Sequence, residues 1–175
     1  MGRYTGPKDR LSRREGVELH GKKKSALLRR DTVPGKGLRR GRSRRPSEYG
    51  VRLREKQKTK RLYGVYERQF RRVYDIATRT RGNTGENLLI LLERRLDNAV
   101  FAMGFANTRP MARQMVVHGH ITLNGKKASR PSMLVDAGDV IAARANEKSK
   151  GLATAGIEVS RGLRSPPSWV SVDDD

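Results

Sequence analysis

Positive charge is crowded into the first half of this chain, and that limits how far the first half can fold by itself. Residues 1–81 carry 27 Lys and Arg against 8 Asp and Glu, whereas residues 82–175 carry 12 against 10. Self-repulsion of this density opposes any compact state. A polyanion that neutralises it removes the opposition. The pattern therefore points to nucleic acid as the partner, with most of the contact in the first half.

Burial cannot rescue the N-terminal region. Only 35% of the chain is hydrophobic and 5% aromatic, too little for a large dry core. Residues 1–46 hold few branched or aromatic side chains to offset chain entropy. They are expected to form an irregular basic arm ordered mostly by its partner, with at most a helical turn over Leu11–Glu15. Folding by burial belongs to the second half. The chain has no cysteine, which removes disulfides and thiolate metal sites. No apolar run approaches the roughly 18–20 residues that span a bilayer. Met1-Gly2-Arg3-Tyr4 is not followed by the apolar stretch of a secretory signal. The basic residues do not oppose a strong apolar helix face, so no membrane partner is expected.

Ser47 after Pro46 reads as the N-cap of a basic helix over 48–63, which Gly64 interrupts. A second helix follows, with Tyr66, Phe70, Val73, Tyr74 and Ala77 on one face, read as core rather than as a base-stacking surface. Asn83 or Thr84 can cap a third helix. Leu88, Leu89, Leu92, Leu96, Ala99, Val100 and Met103 predict that it runs unbroken from 86 to 103, with Gly104 past its end. Thr108 caps a short helix with Pro110 in its first turn. That helix stops near Gly119. Ile121 and Leu123 alternate with polar residues before Asn124-Gly125, a strong two-residue hairpin turn. Val140–Ala142 predicts one more strand. The fold class is α+β: a basic N-terminal arm and helical domain plus a small helix-helix-hairpin module.

Enzyme-like patterns are weak. Residues 16–22 match seven positions of a phosphate-binding loop, but Lys23 stands where a hydroxyl should hold magnesium. His118 and His120 lack the further ligands of a metal site. No Ser, His and acid set suggests itself. No enzyme activity, cofactor, metal or small-molecule substrate is expected. A positive platform is better supported. Arg94 and Arg95 come from the long helix. Arg109, Arg113 and Gln114 come from the short one, and His118, His120, Asn124, Lys126 and Lys127 from its end and the hairpin. Arginine forks suit phosphate oxygens. Irregular basic arms suit structured RNA better than duplex DNA. The rival reading is a free RNA chaperone or a nucleic-acid-compacting protein, which selectivity would separate.

Ordered motifs along the chain resemble those of bacterial small-subunit ribosomal protein four, the S-four family. They are Arg3–Pro7, Leu11–Gly16, Tyr49–Lys58, Tyr63–Arg71, Gly82–Leu89 and Leu91–Asn98. Met103–Phe105, Ala112–Gln114 and His118–Gly125 continue the series, and Trp169 belongs to it. The resemblance implies direct binding to the 5′ domain of small-subunit ribosomal RNA, early assembly of the subunit body and support of decoding accuracy. It implies S-three and S-five proteins as neighbours, in a cytoplasmic or an organellar small subunit. Residues 96–147 resemble the small RNA-binding module named after the family. The divisions expected are 1–46, 47–95, 96–147 and 148–175, the last packing back on the helical domain. Where some members bind zinc through cysteines, this chain has Asp9 and Ser12, so zinc is not expected. The family usually continues a few tens of residues beyond the tryptophan region, where this chain stops at Asp175.

On this basis the expected RNA contacts extend beyond the platform. They include Arg3, Tyr4, Lys8, Arg10, Arg13 and Arg14 near the N-terminus, and Arg44 and Arg45 before the first long helix. Tyr49, Arg52, Arg54, Lys56, Lys58, Arg61 and Tyr63 come from that helix and its end, and Arg68, Arg71 and Arg72 from the next.

Overall fold

A computed structural model describes residues 4–20, 26–30, 32–35 and 47–172. The chain divides into two compact units, residues 1–70 and 71–175.

In the first unit, α1 spans Lys8–Glu15, α2 Ala26–Arg29 and α3 Glu48–Leu62, and α4 (Glu67–Arg79) begins there. The described part of the expected arm contains two short helices, and its other described residues are turns and irregular backbone. Ser12 is fully buried. Its hydroxyl donates to Glu18 Oε1 at 3.3 Å and accepts the Leu19 N–H at 3.3 Å. The same carboxylate oxygen accepts the His20 N–H. Glu15, whose side chain is 1% exposed, accepts from Arg54 at 3.2 Å and from Arg61, tying α1 to α3. Inside this segment a carboxylate does part of the neutralising that composition assigned to a partner. Ser47 caps α3 as expected, accepting the Gly50 N–H. On α4, Phe70 and Ala77 are buried, but Tyr74, like Tyr66 just before the helix, stays nearly half exposed. The buried stripe is narrower than the one read from spacing.

The second unit holds most of α4, then α5 (Thr84–Glu93), α6 (Leu96–Ala102), α7 (Arg109–Val117), β1 (Ile121–Leu123), β2 (Lys126–Ala128), β3 (Ile141–Ala143) and α8 (Glu147–Arg161). Asn83 caps α5 at 2.8 Å. The Asn87 amide donates to the Thr80 and Arg81 carbonyls, fixing α5 against the end of α4.

The single helix expected over 86–103 is two helices. Arg95 is extended, with φ −66° and ψ 136°. It forms an isolated bridge with Leu134. The Leu96 and Asp97 N–H groups donate to the Met133 and Pro131 carbonyls, and the Val135 N–H donates to the Arg94 carbonyl. A distant segment thus supplies the partners that a continuous helix would have supplied itself.

Leu96, Val100, Ala112, Val116 and Ile121 are fully buried and form the core with Met115, Ala128, Val135 and Ala153. Thr108 caps α7 by accepting the Met111 N–H. Gly119, at φ 73°, closes it. Its N–H reaches the Val116 carbonyl and the His120 N–H reaches that of Met115. This left-handed closure turns the chain straight into β1. The sheet order is β2-β1-β3, antiparallel, with Ile121 opposite both Ala128 and Ala143. Asn124 and Gly125 have φ of 50° and 76°, the positive values that a tight hairpin turn needs.

The C-terminal segment was expected on the helical domain, but α8 packs on the module. The Ser160 hydroxyl donates to the Gly104 carbonyl at 3.0 Å. Arg164 donates to the Phe101 and Ala106 carbonyls at 2.6 and 2.8 Å. At Gly156 the backbones come so close that a Cβ would lie 2.1 Å from the Phe105 oxygen. Glycine permits this seam because it has no side chain.

Candidate nucleic-acid interface

A cation can neutralise phosphate only if the fold has not already committed it to a carboxylate. In the module most of the expected arginines are committed. Arg95 is 4% exposed, and its fork grips both Asp97 oxygens at 3.0 and 2.8 Å. Arg113 donates to the same carboxylate at 3.0 Å. Arg109 donates to the Asn98 side-chain oxygen at 2.9 Å and lies over the Phe101 ring, 4.5 Å from its centroid. Arg94 bonds Asp136 and the Val135 carbonyl. Arg95 is therefore a buried structural residue, not a surface contact. Arg94, Arg109 and Arg113 each hold two pieces of the module together.

Other expected contacts in the module are exposed. Gln114, His118, Lys126 and Lys127 face solvent. The Lys127 stem passes over Gly119, where a Cβ would stand 2.4 Å from its Cε, so its amine is near the end of α7. Asn124 is exposed, but its amide group joins two turns, donating to Asp139 at 2.8 Å and accepting from the Val140 N–H at 2.9 Å. The Asp139 carboxyl is held below its usual range by the Asp136 N–H and then by Asn124. His120 is half-buried, with Nδ1 2.8 Å from the Ser149 hydroxyl. Burial lowers its pKa, aided by the charges of His118, Lys148 and Arg144.

The first unit divides in the same way. Arg54 and Arg61 are committed to Glu15, and Lys56 joins Lys60 on Glu67. These lysine bonds, that of Lys56 foremost, hold the Glu67 carboxyl below its usual range. Arg52 and Lys58 make only exposed pairs with Glu48 and Glu55, which hold little in water. Arg13 donates to the Thr32 carbonyl. Tyr63 is buried beyond the end of α3, which removes it from any surface. Tyr4, Arg10, Arg14, Tyr49 and Arg68 are exposed, and Lys8 is partly so. Arg3, Arg44 and Arg45 lie outside the described residues, as do the basic clusters at 22–24 and 39–42.

A family model described as the ribosomal protein S4/S9 N-terminal domain matches residues 3–93. One described as the S4 domain matches residues 94–141. The small ribosomal subunit protein uS4 of Herpetosiphon aurantiacus is 54% identical over 99% of this chain and 85% of its own length. That of Thermoanaerobacter sp. strain X514 is 52% identical over 100% and 85%. That of Trichlorobacter lovleyi is 52% identical over 100% and 86%. The chain belongs to the uS4 family.

In this uS4 family member the second unit carries cations that the sequence reading passed over. Arg79 and Arg81 near the end of α4, Arg130, Arg144, Lys148 and Lys150 are all exposed. Among the described residues none of them has an ion pair, and neither do Arg71 and Arg72. What separates them from Arg95 or Arg113 is that no carboxylate stands within ion-pair distance, although Asp75 shares α4 with Arg71, Arg72 and Arg79, and spacing along the chain does not report that. Arg72 and Arg79, seven residues apart, lie on one side of α4, with Arg71 about 100° round the helix from Arg72. Such a set can bind phosphates of a folded RNA without displacing any internal partner.

Proposed function

We propose that the chain is a structural RNA-binding protein of the small ribosomal subunit, holding the 5′ domain of its RNA and acting early in assembly of the subunit body. Membership of the uS4 family supports the ribosomal part of this reading. The observation that carries the binding mode is the division of its cations. Those of the module core are held by carboxylates, an amide oxygen or backbone carbonyls and fix the shape, while Arg71, Arg72, Arg79, Lys126 and Lys127 remain open for phosphate. The shape-holding set limits which RNA surface can meet the open set, so recognition joins charge neutralisation to shape. The finer reading adds S-three and S-five proteins as neighbours, a contribution to decoding accuracy and residence in cytoplasmic ribosomes.

The test is binding to the 5′-domain RNA beside an unrelated structured RNA and duplex DNA over a salt series. A steep salt dependence is expected for all three. Preference for the ribosomal fragment at about 0.15 M salt supports the reading. Equal binding that collapses at that salt returns the chain to the rival reading, a general chaperone or compacting protein.

A further inference from the structure

Spacing predicts Tyr74 to be a core residue, yet it is 47% exposed. Its hydroxyl has no hydrogen-bond partner among the described residues. On a helix turning about 100° per residue, Tyr74 sits about 60° from Ala77 on one side and about 60° from Arg71 on the other. Ala77 is fully buried, and Arg71 is exposed without an ion pair. The ring thus stands at the margin of the helix, its base beside the buried face and its outer part in water. Its neighbour on the wet side is an uncommitted cation. A ring rooted in this way loses little freedom on binding, since a tyrosine has only two side-chain torsions to fix.

We propose that Tyr74 is a stacking platform for one unpaired RNA base, with Arg71 taking an adjoining phosphate. This rests on the RNA-binding reading above and adds to it a contact with a base. Open cations alone cannot tell paired from unpaired RNA, because they bind phosphate in either. An aromatic face can, because only an unstacked base is available to cover it. A protein partner could also cover an exposed ring, but Arg71 beside it, with no ion pair, favours a polyanion over an ordinary protein surface.

The experiment uses the full chain and the 5′-domain RNA, with affinity measured across a salt series for wild type, Y74A, Y74L, Y74F and R71A. Loss of stacking is expected to weaken Y74A and Y74L about tenfold with the salt slope unchanged. Y74F should stay within about twofold, since the π face remains. R71A should weaken binding and reduce the salt slope by about one. Leucine keeps bulk at the margin of the helix, so Y74L carries the test if Y74A fails to fold. Wild-type affinity in folded Y74L overturns the proposal and points to a protein partner for the ring. A fall in both affinity and slope also overturns it, because the ring then only positions Arg71. Failure of the wild-type chain to prefer the ribosomal fragment is a different result, and it removes the RNA reading itself.

Discussion

Asp97 holds two guanidinium groups at once, both oxygens on Arg95 and one of them shared with Arg113. The side chains of the trio are only 5%, 7% and 12% exposed. Removing one partner of such a buried set leaves charge with no solvent to take it up, at a typical cost of about 3–5 kcal/mol. Asp97→Asn is accordingly expected to lower the free energy of unfolding by about 3 kcal/mol, read by urea denaturation. Arg113→Ala should also move the urea midpoint. A loss of RNA affinity at an unchanged midpoint would instead make Arg113 a surface contact. Arg109 and Arg113 were legible as a pair on one helix face, because four residues separate them. The acid that claims Arg113 was not legible, since Asp97 lies 16 residues earlier and no helical period relates the two.

The elements repeat this at a larger size. Caps at Ser47, Asn83 and Thr108 and the turn at Asn124-Gly125 could be read directly, because each is settled within four or five residues. The break at Arg94-Arg95 could not. It depends on carbonyls at 131 and 133, and the apolar spacing on either side of it is helical throughout. The seating of α8 was equally hidden, and it yields two expectations. In Gly156→Ala the new methyl meets the Phe105 carbonyl, a backbone group that cannot swing aside. Overpacking of this kind costs about 1–3 kcal/mol or more, so the melting temperature should fall, and amide exchange along α8 should quicken more than in β1. At its other end α8 is joined to His120 through Ser149. The folded pKa of His120 is lowered, so the unfolded chain binds the proton more readily. Stability is therefore full above the ordinary histidine value of about 6.5 and is lost as pH falls from there through the lower folded value. His120→Asn should flatten that part of the pH–stability curve, and NMR titration should place His120 below the ordinary histidine value.

At the scale of the whole molecule, a net charge of +21 sits on a fold that has already absorbed a good part of its arginine internally. The remaining cations repel one another across the surface. Phosphate or sulfate should therefore raise the thermal midpoint of the free protein, even though added salt weakens its exposed pairs such as Arg52–Glu48. A scanning melt in increasing sulfate would show this, and a midpoint that falls instead would mean that the internal pairs outweigh the repulsion. The order in which the chain is made adds a constraint of another kind. The oxygens at Gly104 and Phe101 wait for Ser160 and Arg164, which follow them by 56 and 63 residues. At about 5–20 residues per second, this end of the module emerges from synthesis and stays uncovered for roughly 3–12 s before its cover exists. For that interval the nascent module presents an open apolar layer, which closes only when α8 and the residues after it have been made.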